Sequence, residues 1–157
     1  MCQCVYDWSV SHPSRTYDLA LLFAALADRT RLRLLNLMKG KEVCVCYFVE
    51  ILEQSQPKVS RHLAYLRRAG IVAARREGKW MHYSIVVPKN DGAARILSES
   101  LAVLSEDKTM QADLRSLEKA CCVTKKPSTL EGAPLPSLSA QRVPAPVEQT
   151  RTDRCAH

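Results

Sequence analysis

Residues 42–63, EVCVCYFVEILEQSQPKVSRHL, decide the fold. Two cysteines, Cys44 and Cys46, stand at the start of a short helical pattern. After a turn, a second helical pattern begins near Gln56, with basic and polar residues at its outer positions. Thiolates bind soft metal ions, and the second helix of a helix-turn-helix unit reads DNA. The stretch therefore predicts a metal-responsive switch on DNA.

Helical periodicity continues on the N-terminal side of this stretch. Apolar residues recur at three- and four-residue spacing from residue 19 to residue 26, which predicts a first helix. Asp28 is well placed to cap a second helix, which Gly40 ends. Two helices therefore precede the helix that carries the cysteines.

The helix-turn-helix unit itself has clear boundaries. Its first helix is expected from about Val43 to Leu52, and residues 53–56 form the turn. Ser55 or Gln56 caps the next helix, which has a proline in its first turn, where proline is tolerated. A buried stripe is expected from the apolar positions of that helix, namely Val59, Leu63 and Leu66.

The segment after Gly70 predicts a β-hairpin and then more helix. Residues 71–76 and 80–86 have strand character and flank a Glu-Gly-Lys turn, with basic residues at the tip. A long helical stretch is expected over residues 91–120, with enough apolar surface for a dimer contact. The predicted fold is mainly α with a small β-hairpin: a winged helix-turn-helix of order α-α-α-α-β-β-α that forms a homodimer through its terminal helices.

Composition divides the chain into three parts. Residues 1–16 predict a short arm, residues 17–122 the winged domain, and residues 123–157, which hold five of the eight prolines, a disordered tail. No apolar run reaches the roughly 18 residues that a membrane span needs, and the N-terminus does not resemble a signal peptide. We therefore expect a cytoplasmic protein without a membrane partner, in which the seven cysteines stay reduced.

The positive charge is concentrated in the predicted helix-turn-helix and hairpin. Between residues 56 and 80 there are seven Lys or Arg residues and one Glu, which gives +6 of the formal +7 of the whole chain. Such a concentration on a helix and a hairpin favours a polyanionic partner. Double-stranded operator DNA is the expected partner.

Four segments together resemble the ArsR/SmtB family of winged-helix metal sensors, most closely its arsenic-responsive branch. They are residues 26–32 (LADRTRL), 43–46 (VCVC), 55–63 (SQPKVSRHL) and 76–79 (REGK). The resemblance spans roughly residues 18–87. It implies a homodimeric repressor of a resistance operon that releases DNA when metal binds, and not an enzyme.

The cysteine pair at the start of the third helix is the expected metal site. Residues two apart on a regular helix point about 200° away from each other. Cys44 and Cys46 could therefore hold one ion only if the first helical turn unwinds or reorients, which supplies a switch. The expected inducer is As(III) or Sb(III), in inorganic or methylated form, with Cd or Pb as the alternative and no organic cofactor. A thiol redox sensor of the same fold is a further alternative.

The sequence departs from the resembled family at the third thiol. Family members of the arsenic branch usually have Asp after the second Cys and a third Cys three residues beyond it, where this chain has Tyr47 and Val49. The vicinal pairs of some arsenic sensors favour Cys121 and Cys122 as further ligands. Cadmium- and lead-sensing members of the family instead add N-terminal cysteines to the pair, which favours Cys2 and Cys4 as ligands. Cys155, in the tail, is the remaining candidate.

The DNA-contacting residues are expected on the N-terminal half of the fourth helix and on the hairpin. Side chains on the helix can make bidentate base contacts, whereas the hairpin cations hold phosphates. The predicted set is Gln56, Lys58, Ser60, Arg61, His62, Arg75, Arg76 and Lys79. None of the four histidines lies in residues 91–120, so the Asp and His zinc site of other family members is not expected.

Overall fold

The computed structural model describes residues 17–123 and 126–139 of the 157-residue chain. Within these ranges the helices and strands are, in chain order, α1 Leu19–Leu26, α2 Arg29–Leu37, β1 Lys41–Cys44, α3 Val45–Leu52, α4 Gln56–Arg68, β2 Val72–Glu77, β3 Trp80–Ile85, α5 Asp91–Leu104, α6 Lys108–Cys122 and β4 Ser137–Leu138. The strands form one antiparallel sheet in the order β2-β3-β1-β4. The mainly helical fold with a hairpin after α4 confirms the predicted winged helix-turn-helix. The predictions for Cys2, Cys4 and Cys155 lie outside the described residues.

The helix-turn-helix forms as its sequence pattern predicts. The buried stripe of α4 is confirmed, since Val59, Leu63 and Leu66 are all fully buried. Glu53 ends α3 in the left-handed region at φ +52°, and this residue redirects the chain into the turn. Helix α4, which we call the reading helix, ends before Gly70, and the β2–β3 hairpin, which we call the wing, follows directly.

The start of α3 differs from the prediction. A helix was expected from about Val43, but Lys41–Cys44 is a strand, and α3 begins at Val45. Val43 and Cys44 pair with Tyr83 and His82 of β3. Because alternation cannot be distinguished from a helix pattern over so few residues, the pairing with β3 decides the local structure.

The predicted long helix over residues 91–120 is two helices. Asp107 caps α6, and its carboxylate accepts hydrogen bonds from the backbone N–H groups of Thr109 and Met110 at 2.7 and 3.1 Å. The break lets α6 pack against α2, where Arg33 donates two hydrogen bonds of 2.7 and 2.8 Å to the buried Asp113. In the parts of the chain that the structure describes, every helix is too short or too polar to cross a bilayer.

Part of the region predicted to be disordered packs onto the domain. Residues 126–139, which we call the strap, contain a 3-10 turn at Ser128–Leu130 and the strand β4. Leu130 is fully buried, Thr129 donates a hydrogen bond to Glu50 of α3, and β4 pairs with β1. The strap therefore packs on α3 and β1, the elements that carry Cys44 and Cys46.

Candidate thiol site and DNA-binding surface

The thiols of Cys44 and Cys46, which we call the proximal pair, converge at the junction of β1 and α3. Cys44 is the last residue of β1 and the N-cap of α3, with φ −69° and ψ 143°, and Cys46 is the second residue of the helix. The extended backbone at Cys44 turns its side chain toward the helix, and the two Sγ atoms lie 3.0 Å apart. The expectation that both cysteines lie in the first turn of the helix is therefore wrong, because Cys44 belongs to β1. The two sulfurs are close together while α3 stays regular.

The Cys46 thiol is held in its protonated form. Burial, a hydrogen bond with Cys44 and the charge of that neighbour raise the pKa of the Cys46 thiol to about 12. A thiol with such a pKa is almost entirely neutral near pH 7. An ion that binds the sulfur of Cys46 must therefore replace the proton of this thiol.

Cys121 and Cys122, which we call the distal pair, are the last two residues of α6. Cys121 is half-buried and Cys122 is exposed. Burial is the main cause that raises the pKa of the Cys121 thiol. Helix α6 packs against α3 of the same chain, which brings Cys121 near Tyr47. However, in residues 17–123 and 126–139 no three Cys, His, Asp or Glu side chains come together closely enough to hold one metal ion.

Tyr47 is a buried residue that is close to thiols of both pairs. It occupies the position after the second cysteine, is fully buried, and has a hydroxyl without a hydrogen-bond partner. Burial, followed by the thiols of both pairs, raises the pKa of this hydroxyl.

The reading helix presents only part of its predicted contact set to solvent. Gln56, Lys58 and Arg61 are exposed, and Ser60 is half-buried. The Nδ1 atom of His62 instead lies 3.4 Å from a carboxylate oxygen of Asp28, the residue that caps α2. One side of the His62 ring therefore faces the start of α2 and not solvent.

The wing divides its three cations between two environments. Arg76 and Lys79 are exposed near the tip, where Arg76 donates to the carbonyl of Gly78 at 3.0 Å. Arg75 is also exposed, but its guanidinium contacts Glu42 of β1 at 2.6 Å and Glu77 at 2.8 Å. The Glu42 contact was not predicted, because it depends on the strand β1, which was not expected from the sequence. The helix-turn-helix and its basic wing define a winged-helix DNA-binding protein.

Comparison with known proteins places the chain within this class. A family model described as "bacterial regulatory protein, arsR family" matches residues 28–74. The chain is 43% identical over 102 residues to the arsenical resistance operon repressor of Escherichia coli (strain K12), covering 64% of this chain and 86% of that protein. The chain belongs to the arsR family of bacterial regulatory proteins, which are DNA-binding transcriptional regulators and not enzymes.

Two further relatives are named for resistance to different elements, arsenic and cadmium. The arsenic resistance transcriptional regulator ArsR1 of Pseudomonas putida is 50% identical over 66 residues, which are 41% of this chain and 52% of that protein. A cadmium resistance transcriptional regulatory protein CadC homolog of Staphylococcus aureus is 39% identical over 69 residues, 43% of this chain and 57% of that protein. The names alone do not decide which ion this chain binds.

Proposed function

We propose that this protein represses an arsenic-resistance operon and leaves its operator when trivalent arsenic or antimony binds Cys44 and Cys46. The single observation that carries the proposal is the 3.0 Å separation of the two Sγ atoms. The names of the Escherichia coli and Pseudomonas putida relatives support the same inducer class. The protein acts in the cytoplasm, where thiols stay reduced.

The chemistry of the proximal pair favours arsenite over a divalent cation. Arsenite is the uncharged As(OH)₃ at neutral pH. It condenses with two thiols to give As(OH)(S-Cys)₂ and two water molecules, so each thiol proton leaves as part of a water and none is released to solution. Cd²⁺ or Pb²⁺ must instead displace the proton of the Cys46 thiol, whose pKa is raised to about 12. A pair that includes this neutral thiol therefore suits a trivalent hydroxide best.

Two sulfurs leave one position on the arsenic open. A hydroxyl, a methyl group of a methylated inducer, or a third thiolate can occupy it. We propose Cys121 or Cys122 for the third thiolate, because α6 packs on α3. Reaching the ion requires the end of α6 to move. The alternative ligands are Cys2 and Cys4.

The DNA-binding roles follow exposure. In this proposal Gln56 and Arg61 contact base edges in the major groove, and Lys58 and Ser60 contact phosphates or bases. Arg76 and Lys79 hold the backbone from the wing. His62 and Arg75 act through their partners Asp28 and Glu42 more than by direct contact, because those partners occupy part of each side chain.

A homodimer belongs to the same proposal. The apolar residues Met110 and Leu117 of α6 are buried within the protomer, so α6 contributes little free apolar surface. Apolar side chains remain exposed on α1 and α5, where Phe23 is 55% and Val103 68% exposed. We expect a second copy of the chain to cover them. Phe23→Glu should then convert the dimer to a monomer in light scattering, whereas Leu138→Glu, an equally apolar exposed site on the strap, should not.

The division into an arm of residues 1–16, a winged domain of residues 17–122 and a tail of residues 123–157 also remains a proposal. The packed strap adds one refinement to it. The functional unit extends to residue 139, because Leu130 and Ala133 are buried against the domain.

The experiment that tests the function is operator release. A duplex selected by the protein from a random library is labelled, and its release is followed by fluorescence anisotropy. The titrants are arsenite, methylarsenite, antimonite, cadmium, lead, zinc and the thiol oxidant diamide. We expect release by the trivalent species at the lowest concentrations. Release by cadmium or lead alone would favour the alternative inducer class.

A thiol redox sensor is the second candidate, because the sulfur atoms of the proximal pair are close. The thiolate is the reactive form in disulfide exchange. The raised pKa of Cys46 therefore disfavours rapid oxidation. Release by diamide with no response to arsenite would support this candidate instead.

A further inference from the structure

A row of three paired residues crosses the sheet from the proximal pair to the wing. Cys44 of β1 pairs with His82 of β3, and His82 pairs with Arg75 of β2. Directly paired residues on neighbouring strands have their side chains on the same face of a sheet. Residues two positions away on the same strand share that face. Glu42 and Glu77 therefore lie on the face that carries Cys44 and Arg75.

Arg75 joins two carboxylates across this face. Its Nε and one terminal nitrogen contact the same Oε1 atom of Glu42 at 2.8 and 2.6 Å. The other terminal nitrogen contacts Glu77 at 2.8 Å. Glu42 stands two residues before Cys44 on β1, whereas Glu77 ends β2 at the wing turn. Arg75 thus spans β3 and ties the thiol strand to the wing.

His82 of β3 is buried close to the two carboxylates that Arg75 contacts. Its side chain is 4% exposed, with Nδ1 3.8 Å from Glu42 and Nε2 4.0 Å from Glu77. Both distances are too long for hydrogen bonds, and Nε2 has no partner. The buried ring thus lies close to both carboxylates, on the strand between β1 and β2. β1 and β2 are therefore linked in two ways, by the Glu42–Arg75 contact and by β3, which pairs with each of them.

The exposure of Arg75 argues against a mainly stabilising role. Its side chain is 53% exposed. Ion pairs of such exposed side chains contribute little to the free energy of unfolding. Two N–H groups that converge on one carboxylate oxygen nevertheless fix the orientation of the guanidinium, because the planar group accepts few geometries. The bridge is therefore suited to positioning.

We propose that Glu42 and Arg75 are positioning residues that transmit inducer binding from the proximal pair to the wing. This inference rests on the proposed function of Cys44 and Cys46. Arsenic bonded to both sulfurs changes their separation from 3.0 Å, and this change shifts the end of β1. Glu42 moves with β1, and Arg75 carries the shift into β2. The next residue is Arg76, which then loses its alignment with the DNA backbone.

The test measures two quantities separately on the full chain. One is the affinity of DNA-free protein for arsenite. The other is the ratio of the operator Kd with saturating arsenite to the operator Kd without it. Glu42→Gln and Arg75→Gln break the bridge from either end. The matched control is Glu77→Gln, which removes an equal charge from the same arginine but leaves the link to β1 intact.

We expect all three variants to bind arsenite as the wild type does. The Kd ratio should fall by about 2- to 30-fold in Glu42→Gln and Arg75→Gln, the range that residues along a coupling route produce. It should stay at the wild-type value in Glu77→Gln. The double exchange Glu42→Arg with Arg75→Glu restores an opposite-charge pair and should recover the ratio. This recovery would exclude a loss that comes merely from poor folding.

The outcomes separate this inference from the proposed function. A wild-type ratio in both Glu42→Gln and Arg75→Gln would overturn the coupling role and leave the thiol site standing. An equal loss in Glu77→Gln would also overturn it, because that loss would reflect charge alone. If the wild-type protein itself binds arsenite without a change in operator Kd, the proposed function fails, and the inference fails with it.

Discussion

The proximal and distal thiol pairs show how little spacing along the chain says about chelation. Cys44 and Cys46 are separated by one residue, yet their sulfurs lie 3.0 Å apart. Cys121 and Cys122 are adjacent but continue one helix, on which successive side chains diverge by about 100°. The difference comes from the backbone at the first cysteine, because a strand-to-helix junction can converge side chains that a helix separates. The proximal pair is therefore ready for an ion, whereas the distal pair must reorganise.

The largest effect is expected from removing either thiol of the proximal pair, which tests whether this pair binds the inducer. Cys44→Ser and Cys46→Ser should keep operator affinity and lose release. The arsenite concentration for half-release should rise by more than about 100-fold, since even outer-shell partners of a metal site cost 10- to 100-fold. Anisotropy with the selected duplex measures this. Cys155→Ser is the control, and normal induction in both proximal variants would refute the site.

The next largest effect is expected in the pH dependence of binding, which should differ between cadmium and arsenite. Cadmium must displace the proton of the Cys46 thiol, so its apparent affinity should rise by at least about 10-fold per pH unit near neutrality. Arsenite exchanges water and releases no proton, so its affinity should stay flat from about pH 6 to pH 8 while the Cys46 thiol, with its raised pKa, remains protonated. Isothermal titration in two buffers of different ionisation enthalpy counts the protons. Equal slopes for the two ligands would contradict the condensation chemistry.

Removing the distal pair should have a smaller effect. The double change Cys121→Ser with Cys122→Ser should weaken arsenite retention by at most about 10-fold, as for a group that supports the site without forming it. X-ray absorption should then count two As–S bonds in place of three. Three sulfurs and unchanged release in this variant would exclude the distal pair and shift the assignment to Cys2 or Cys4.

The smallest effect is expected from loosening the strap. Leu130→Ala removes a fully buried side chain, which costs about 2–5 kcal/mol at a core site. Here the cost should appear as local detachment of the strap. Pro127 and Leu130 of the strap line one cavity with Ala120 and Val123 at the end of α6. Alkylation of Cys121 should therefore accelerate several-fold, while that of Cys46 changes little. Leu138→Ala, at an 88% exposed position, is the matched control. Faster alkylation of Cys46 alone would contradict the placement of the strap near the distal pair.

The sequence was informative where local signals and burial agree. Val59, Leu63 and Leu66 predicted the buried face of the reading helix, and a glycine turn between two β-rich runs predicted the wing. Cys44 and Cys46 could also be chosen as the candidate thiol pair from the sequence alone. A cap residue at Asp107 was present as well, but continuous apolar spacing on both sides obscured the break between α5 and α6.

What could not be predicted depends on contacts between distant segments. The strand at Lys41–Cys44 exists because β3 and the strap pair with it, and its few residues are too short for periodicity to identify. The strap is proline-rich and polar, and only tertiary packing explains the burial of Leu130. The convergence of the proximal sulfurs and the Glu42–Arg75 bridge both follow from that one strand.

The most direct test of the account uses a variant that retains only the proximal pair, with Cys2, Cys4, Cys121, Cys122 and Cys155 changed to Ser. Arsenic X-ray absorption and operator release are measured on the same sample. We expect two As–S bonds and release of the operator at saturating arsenite, because Cys44 and Cys46 are already positioned to chelate. An arsenite-saturated sample without As–S bonds, or one that keeps the operator bound, would contradict the account.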